Sequence, residues 1–400
     1  VTSTNLLAAK REKNNEFYTL LSTVEDELKH YKDHFKGKTV LCNCDDPTKS
    51  NFWNYFHFNF SSLGLKRLIS THYDPEKPTY AFVYEGGNDA DATEGTAFFL
   101  EGTGDFASPE CVRYLEACDI VVTNPPFSEF RSFVKLLMEH NKKFVIIGNI
   151  NAVTYKEIFP LIKENKIWAG SSFNRTIEFL MPNSYELKGK AFVDADGRKH
   201  GFVPGVCWYT NLEIPKRNEP IDLVEHFYEK DGITPKSESA TKFLKIDNYD
   251  AINVNRTSDI PCDYFPCWYK CPHAAECIYA QTEGKTNGAL CENACNGVLA
   301  VPISFLSKYS PKQFEIVGLA PERLPENESI LQIKRYKKAV QHKKDGSICV
   351  GKEINSGPVI AYSSIPNKYP YYTSETAPNK YLEVLYARIL IKRKEKVNEQ

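Results

Sequence analysis

The chain of 400 residues contains no stretch approaching the ~20 consecutive apolar residues that a helical membrane span needs. A helical integral membrane protein is therefore excluded. Its first residues, Val1 to Asn5 followed by Lys10, Arg11 and Lys13, lack the apolar segment of a secretory signal, so a cytoplasmic location is expected. Net charge is almost absent as well, at −1 from 50 basic and 51 acidic residues. That balance excludes a chain that is uniformly basic or acidic, but it hides an asymmetry. Residues 331–400 carry 14 basic against 6 acidic residues, which leaves 36 against 45 for the remainder. Such an excess fits either a solvated surface or a nucleic-acid-facing region, with Lys334, Arg335, Lys337 and Lys338 as its densest run. No internal repeat is visible.

Cysteine is not scarce. Of 12 cysteines, Cys262, Cys267, Cys271, Cys277, Cys291 and Cys295 crowd into one segment. In a chain of this length without an export signal, a cluster of that kind suits a metal better than disulfides. Cys42 and Cys44 alternate along an apolar segment and read as core thiols on one face.

Hydrophobic spacing outlines an alternating α/β region. Phe17, Leu20, Leu21, Val24, Leu28, Tyr31 and Phe35 share a helical face, predicting a helix over residues 14–36 that Gly37 stops. A strand at residues 39–44 precedes Asn43-Cys44-Asp45-Asp46-Pro47, where Asp45 is a candidate cap for the aromatic-rich helix that follows. Further segments read as a strand at 68–71, a hairpin at 79–84 and 96–100, and a helix at 110–116. A strand at 119–123, a helix at 129–140, a strand at 144–147 and a helix at 154–164 complete the alternation. This pattern predicts a mostly parallel sheet covered on both faces, with ligands at the carboxyl ends of its strands. Beyond Leu212 proline and asparagine become frequent and the periodicity weakens, which places a domain boundary near residue 213.

Asn124-Pro125-Pro126-Phe127 is the informative motif. With Pro at ~5% of residues, Asn-Pro-Pro-aromatic arises by chance on the order of once in several hundred chains of this length. It directly follows the apolar strand. A strand-terminating turn would use the same residue types, but the two prolines also fix the backbone rigidly. The Asn124 side-chain oxygen and the Pro125 carbonyl can then accept both hydrogens of an amine conjugated to an aromatic ring, such as N6 of adenine. That frees the nitrogen lone pair for an incoming methyl group. Phe127 offers a face for a base extruded from a duplex. Positioning and electrostatics suffice, without a covalent intermediate.

Several stretches carry a closer resemblance. They are residues 15–19 (Asn-Glu-Phe-Tyr-Thr), 40–47, 104–106 (Gly-Asp-Phe), 119–127, 144–166, 208–212, 248–255 and 301–306. In these the chain resembles the EcoRI-type adenine-specific DNA methyltransferases over most of its length. The resemblance implies a Rossmann-like S-adenosylmethionine-dependent methyltransferase domain at 1–213 and a target-recognition region at 214–400. It further implies site-specific methyl transfer from S-adenosylmethionine to adenine N6 in DNA by base flipping. Asn124, Pro125, Pro126 and Phe127 become the catalytic set. Phe17, Tyr18 and Thr19 would border the methionine part of the donor, and Asn43, Asp45 and Asp46 its ammonium and nearby polar groups. Thr71 would lie by the ribose, with Asp105 and Phe106 at the donor's adenine. The loop after the first strand lacks the glycines usual at that place. Double-stranded DNA is the expected partner, with a restriction endonuclease as the candidate protein partner and no membrane.

One departure from the family stands out. About thirty extra residues follow Pro261, forming a Cys-rich insert at about 262–297. A structural zinc is expected on Cys267, Cys271, Cys291 and Cys295, with Cys262, Cys277 and His273 as alternates. An iron–sulfur cluster or metal-free surface thiols are the other readings. The competing functions are methyl transfer to RNA or protein glutamine, and DNA binding by an inactive catalytic domain.

Overall fold

The computed structural model describes residues 18–76, 79–181, 187, 189–230, 236, 243–249, 251–264, 297–321, 336–351, 353–354 and 357–394. The chain divides into two compact units, Val1–Lys216 and Arg217–Gln400.

The first unit is built on strands β1 (Tyr18–Thr19), β2 (Thr39–Asn43), β3 (Arg67–Thr71), β4 (Tyr80–Tyr84), β5 (Thr96–Phe99), β6 (Ile120–Thr123), β7 (Lys143–Asn149), β8 (Trp168–Ala169), β9 (Glu178–Met181), β10 (Phe192–Val193), β11 (Lys199–Phe202) and β12 (Val206–Thr210). Eight of them form one sheet in the order β5-β4-β3-β2-β6-β7-β12-β8. The central four, β3-β2-β6-β7, are parallel. At one edge β12 runs antiparallel between β7 and β8. Strands β2 and β6 are buried at every position, because helices cover both faces. That is why they read as continuous apolar runs without alternation.

The amphipathic face at the amino end is correctly placed, since Val24, Leu28, Tyr31 and Phe35 are fully buried. A single helix over 14–36 is not formed. Described residues give Tyr18–Thr19 as a strand paired with β9, then helices Leu21–Leu28 and Lys32–Phe35. The break lies where His30 and Tyr31 N–H groups bond three residues back, to Glu27 and Leu28, a tightening typical of helix ends. The buried Glu27 carboxylate adds a reason to stop there. It accepts the Tyr31 hydroxyl and the Ser171 and Ser172 amides, each at 2.7 Å. A side chain at Gly170 would collide with this carboxylate at 2.5 Å. The predicted helix at 154–164 is also shorter, a 3₁₀ turn Ile150–Thr154 followed by Phe159–Lys163. Pro160 explains the late start, because proline fits only the first turn of a helix.

A smaller sheet, β1-β9-β11-β10, completes the unit. Within it His200 is held between Glu178 (Nδ1 to Oε1, 2.8 Å) and Asp194 (Nε2 to Oδ2, 2.9 Å), and stacks on Phe192. The hydrogen bond to Asp194 raises the His200 pKa despite the opposing effect of burial.

The second unit is largely antiparallel. One five-stranded sheet joins Leu244–Ile246, Ala251–Asn253, Leu299–Pro302, Arg388–Arg393 and Phe314–Ala320, with a single parallel pairing between its second and third strands. Another joins Ile348–Val350, Val340–His342, Tyr371–Ser374, Ala377–Val384 and Val359–Tyr362. Buried asparagines anchor segments that the resemblance had singled out. The Asn248 carboxamide donates to the Gly357 carbonyl at 3.0 Å and accepts the Val359 amide at 2.7 Å. Asn253 Oδ1 accepts from the buried Arg388 guanidinium at 3.0 Å. Among the described residues no helix is long and apolar enough to cross a membrane.

Candidate active site

The chain leaves β2 towards β3 on one side, and β6 lies on the other side of β2. The carboxyl ends of β2 and β6 thus flank a topological switch point, the usual ligand crevice of an open α/β sheet. The two sequence motifs, residues 43–47 and 124–127, leave these two strands at that end.

They are tied together by side chains. Thr123, the residue before Asn124, directs its hydroxyl to Asp45 Oδ2 at 2.5 Å and to the carbonyl of Asn43. A hydroxyl has one proton to give, so this bond is shared between the two acceptors. The other Asp45 oxygen accepts from Ser50 Oγ at 2.9 Å, and the Asp45 amide donates to the Thr71 carbonyl at 2.9 Å. Ser50, rather than Asp45, caps helix Asn51–Phe58, accepting the Phe52 and Trp53 amides. Asp45 therefore acts through the capping residue. Its carboxylate braces the loop through Ser50 and Thr123.

Asp46 is half-buried. Burial pushes its carboxyl up, but the Thr48 hydroxyl and amide and the charges of His72 and Lys49 outweigh this, so its pKa lies below the ordinary value. The turn between the strand and Asp45 needs a left-handed residue, and Cys44 supplies it at φ 68°. Cys44 thus lies past the strand, off the face it was expected to share with buried Cys42, and it stands where a glycine would be unstrained. Burial, reinforced by the nearby Asp45 charge, holds both thiols well above their usual pKa.

At this end Thr19 Oγ1, Asn43 Oδ1 and His72 Nδ1 are among the polar atoms buried without a hydrogen-bond partner. Thr19 is joined to the capped helix through Asn51 Nδ2, which donates to its carbonyl at 2.8 Å. Asn43 pairs in register with buried Thr71, and His72 follows it. Buried polar groups are rarely left unmatched in native proteins, so these atoms fit a polar ligand such as an amino-acid or ribose moiety. Across the crevice Gly104 adopts φ 73°, and a Cβ there would meet the His72 carbonyl at 2.0 Å. Only glycine lets the backbone approach so closely. Asp105, exposed, accepts the Ala107 amide at 2.8 Å, and half-buried Phe106 meets Phe133 edge-on at 5.1 Å.

In the second motif Pro125 is buried and Pro126 exposed. The Asn124 side-chain oxygen is shielded from solvent. Phe127 is half-buried and packs against the main core, so part of its ring is structural. The motif turns directly into helix Phe130–Glu139, with the Glu129 amide bonded to the Pro126 carbonyl at 2.9 Å. A separate cavity of about 590 Å³, lined by Arg67, Tyr84, Phe98 and Arg113, lies at the amino end of β3, away from both motifs.

Sequence reasoning passed over Thr123, Ser50 and Glu27. Ser50 carried a signal, as a serine immediately before an apolar helical run. Phe17, the side chain of Tyr18, Lys334, Arg335, Cys267, Cys271, Cys277, Cys291, Cys295 and His273 lie outside the described residues. Lys337 and Lys338 are exposed, and Lys338 pairs with Glu375 at 2.8 Å.

A sheet with a parallel core and antiparallel strands towards both edges, bearing Asn-Pro-Pro-Phe at its switch point, fits an S-adenosylmethionine-dependent methyltransferase fold. Comparison with known proteins specifies it further. A sequence model of the family described as adenine-specific methyltransferase EcoRI matches residues 5–268. The chain is 39% identical over 323 residues to Type II methyltransferase M.EcoRI of Escherichia coli, covering 77% of this chain and 87% of that one. It is 36% identical over 312 residues to Type II methyltransferase M.MpnI of Mycoplasma pneumoniae, covering 77% and 83%. No solved structure matches. The chain belongs to the EcoRI-type adenine-specific methyltransferase family.

Proposed function

We propose that the protein methylates N6 of a target adenine in double-stranded DNA, extruding the base to reach it, and that the roles divide as follows. The bracing of residues 43–47 against residues 123–127 carries this reading, because it juxtaposes a polar, ligand-fitting crevice with the Asn-Pro-Pro-Phe loop. S-adenosylmethionine, when bound, supplies a methyl group on a sulfonium that leaves without acid assistance. Asn43, Asp46 and Thr19 hold its amino-acid end, Asp45 steadies the loop, and Thr71, Asp105 and Phe106 face its nucleoside. Phe17 and Tyr18 belong to the same border.

The Asn124 oxygen and Pro125 carbonyl accept the two N6 hydrogens and aim the nitrogen lone pair. Proline rigidity and partial shielding from water keep these acceptors preorganised. Pro126 fixes the turn and the exposed part of Phe127 stacks with the flipped base. Arg217–Gln400 reads the target sequence, with the basic run at 334–338 contributing phosphate contacts. The thiol density of the insert supports a structural zinc on Cys267, Cys271, Cys291 and Cys295. A restriction endonuclease is the proposed functional companion.

Transfer of tritium from labelled donor to duplex DNA, followed by nucleoside analysis, tests the reaction. Label in N6-methyladenine is the expected outcome. Label in RNA or protein but absent from DNA would refute it.

A further inference from the structure

In the second unit three side chains with different donor atoms converge. They are His226, Cys262 and Asp263, whose ligand atoms all lie within 4.8 Å of one another. His226 Nδ1 is 3.1 Å from Asp263 Oδ2 and 3.4 Å from Cys262 Sγ. Tetrahedral zinc with bonds of ~2.0 Å to nitrogen or oxygen and ~2.3 Å to sulfur would set these separations at about 3.3 and about 3.5 Å. The observed spacings are already close to those edges. We propose that His226, Cys262 and Asp263 supply three ligands of a zinc site, stapling residues 225–228 to residues 261–264 where the Cys-rich insert departs.

The surroundings are those of a built site. Asp263 Oδ1 accepts the Phe227 amide at 2.7 Å, and Oδ2 lies 3.4 Å from the Tyr228 amide, so the carboxylate is oriented before any metal arrives. The Cys262 amide donates to the Glu225 carbonyl at 2.8 Å, beside a parallel bridge between Glu225 and Pro261. The Cys262 carbonyl in turn accepts from Arg393, at the end of an inner strand of the five-stranded sheet. Phe227 and Tyr264 pack with ring centroids 4.6 Å apart and give the two segments an apolar backing. Outer partners that fix ligand orientation in this way are a regular part of metal centres.

Ligand chemistry selects the ion. A thiolate with an imidazole and a carboxylate suits zinc and disfavours magnesium or calcium, which take oxygen. The His226 side chain is 60% exposed, so metal and a fourth ligand have access. Without metal, an exposed histidine gains little from its carboxylate partner in water, so the convergence of all three groups has weak cause. Sequence spacing hid the site, because His226 lies 36 residues from Cys262 and has no neighbouring cysteine.

Elemental analysis of the full chain tests this independently of catalysis. The informative background carries Ser at Cys267, Cys271, Cys277, Cys291 and Cys295, so zinc bound by the insert cannot contribute. One zinc per chain is expected there, and cobalt substitution should give thiolate-to-metal charge-transfer absorption. Both signals should vanish in His226→Ala and in Cys262→Ser, and His226→Cys should restore metal because it returns a ligand. Should the five-serine chain not fold, wild type and His226→Ala are compared directly, with circular dichroism monitoring fold. A deficit of one zinc is expected. Zinc-free folded protein, or equal zinc in His226→Ala, overturns the proposal.

Discussion

The two units bury their strands in different ways. In the amino-terminal unit Thr39–Asn43 and Ile120–Thr123 are buried at every residue, whereas Phe314–Ala320 and Ala377–Val384 mix buried and exposed positions. Helices on both faces impose the first pattern, and antiparallel sheets with one wet face impose the second. Chemistry follows this division. A doubly covered parallel sheet must end its strands in loops at a shared crevice, so Asn43–Pro47 and Asn124–Phe127 meet there. The antiparallel unit leaves Ile348 and Val350 exposed on an outer strand.

The largest effect that would sharpen this contrast is expected at Asn124. Asn124→Ala should lower the rate of methyl transfer by ~10²-fold or more, while donor affinity, read by calorimetry, is retained. Near-normal turnover would remove the reaction from the first unit's crevice. Glu27→Gln should cost about 2–3 kcal/mol in urea unfolding, since it sets an amide N–H against the Ser171 or Ser172 N–H in a buried place. Donor binding should survive in the fraction that is folded. An unchanged midpoint would mean that the clamp is not a source of stability. Thr123→Val removes the hydroxyl that bonds Asp45 Oδ2 and the Asn43 carbonyl, while Ser50 still bonds Asp45 Oδ1, and should destabilise by about 1–3 kcal/mol. Turnover should fall while the basic region's affinity for DNA, read by band shift, is unaffected.

A smaller effect on stability is expected from the titration of His200. His200 has its pKa raised by Asp194. The protonated pair therefore stabilises the fold fully below the unfolded value of about 6.5, and this contribution is lost as pH rises through the higher folded value. His200→Gln should flatten that part of the profile, and identical slopes in both proteins would refute the assignment. Least in magnitude, neutralising Lys337 and Lys338 should shallow the dependence of DNA affinity on salt by less than about two counterions, because Lys338 already has Glu375. A slope unchanged within error would make them ordinary surface charges.

Legibility in the sequence divides along similar lines. The parallel strands were readable because total burial leaves uninterrupted apolar runs, and Asn-Pro-Pro-Phe because two prolines after such a run are rare. The positions of Asp105 and Phe106 followed from the resemblance, and Gly104 supplies the backbone reason for that motif. Other features had no local trace. Glu27 looks like one more helix carboxylate until Ser171 and Ser172, 144 and 145 residues away, meet it. Cys44 reads as a strand residue because nothing in its type announces a positive φ. Asp45 invites a capping role that Ser50 fills, and the difference depends on where one helix begins. In the second unit short strands with mixed exposure blur any period, and its buried clamps pair Asn248 with residues more than a hundred positions away.

The single proton of Thr123, divided between Asp45 and the Asn43 carbonyl, ties together the two loops that the proposed mechanism assigns to the donor and to the target base. Neither can relax alone. Selection acting on donor affinity at residues 43–46 would therefore be felt as turnover at residues 124–127, so the two properties should drift together among variants of this enzyme.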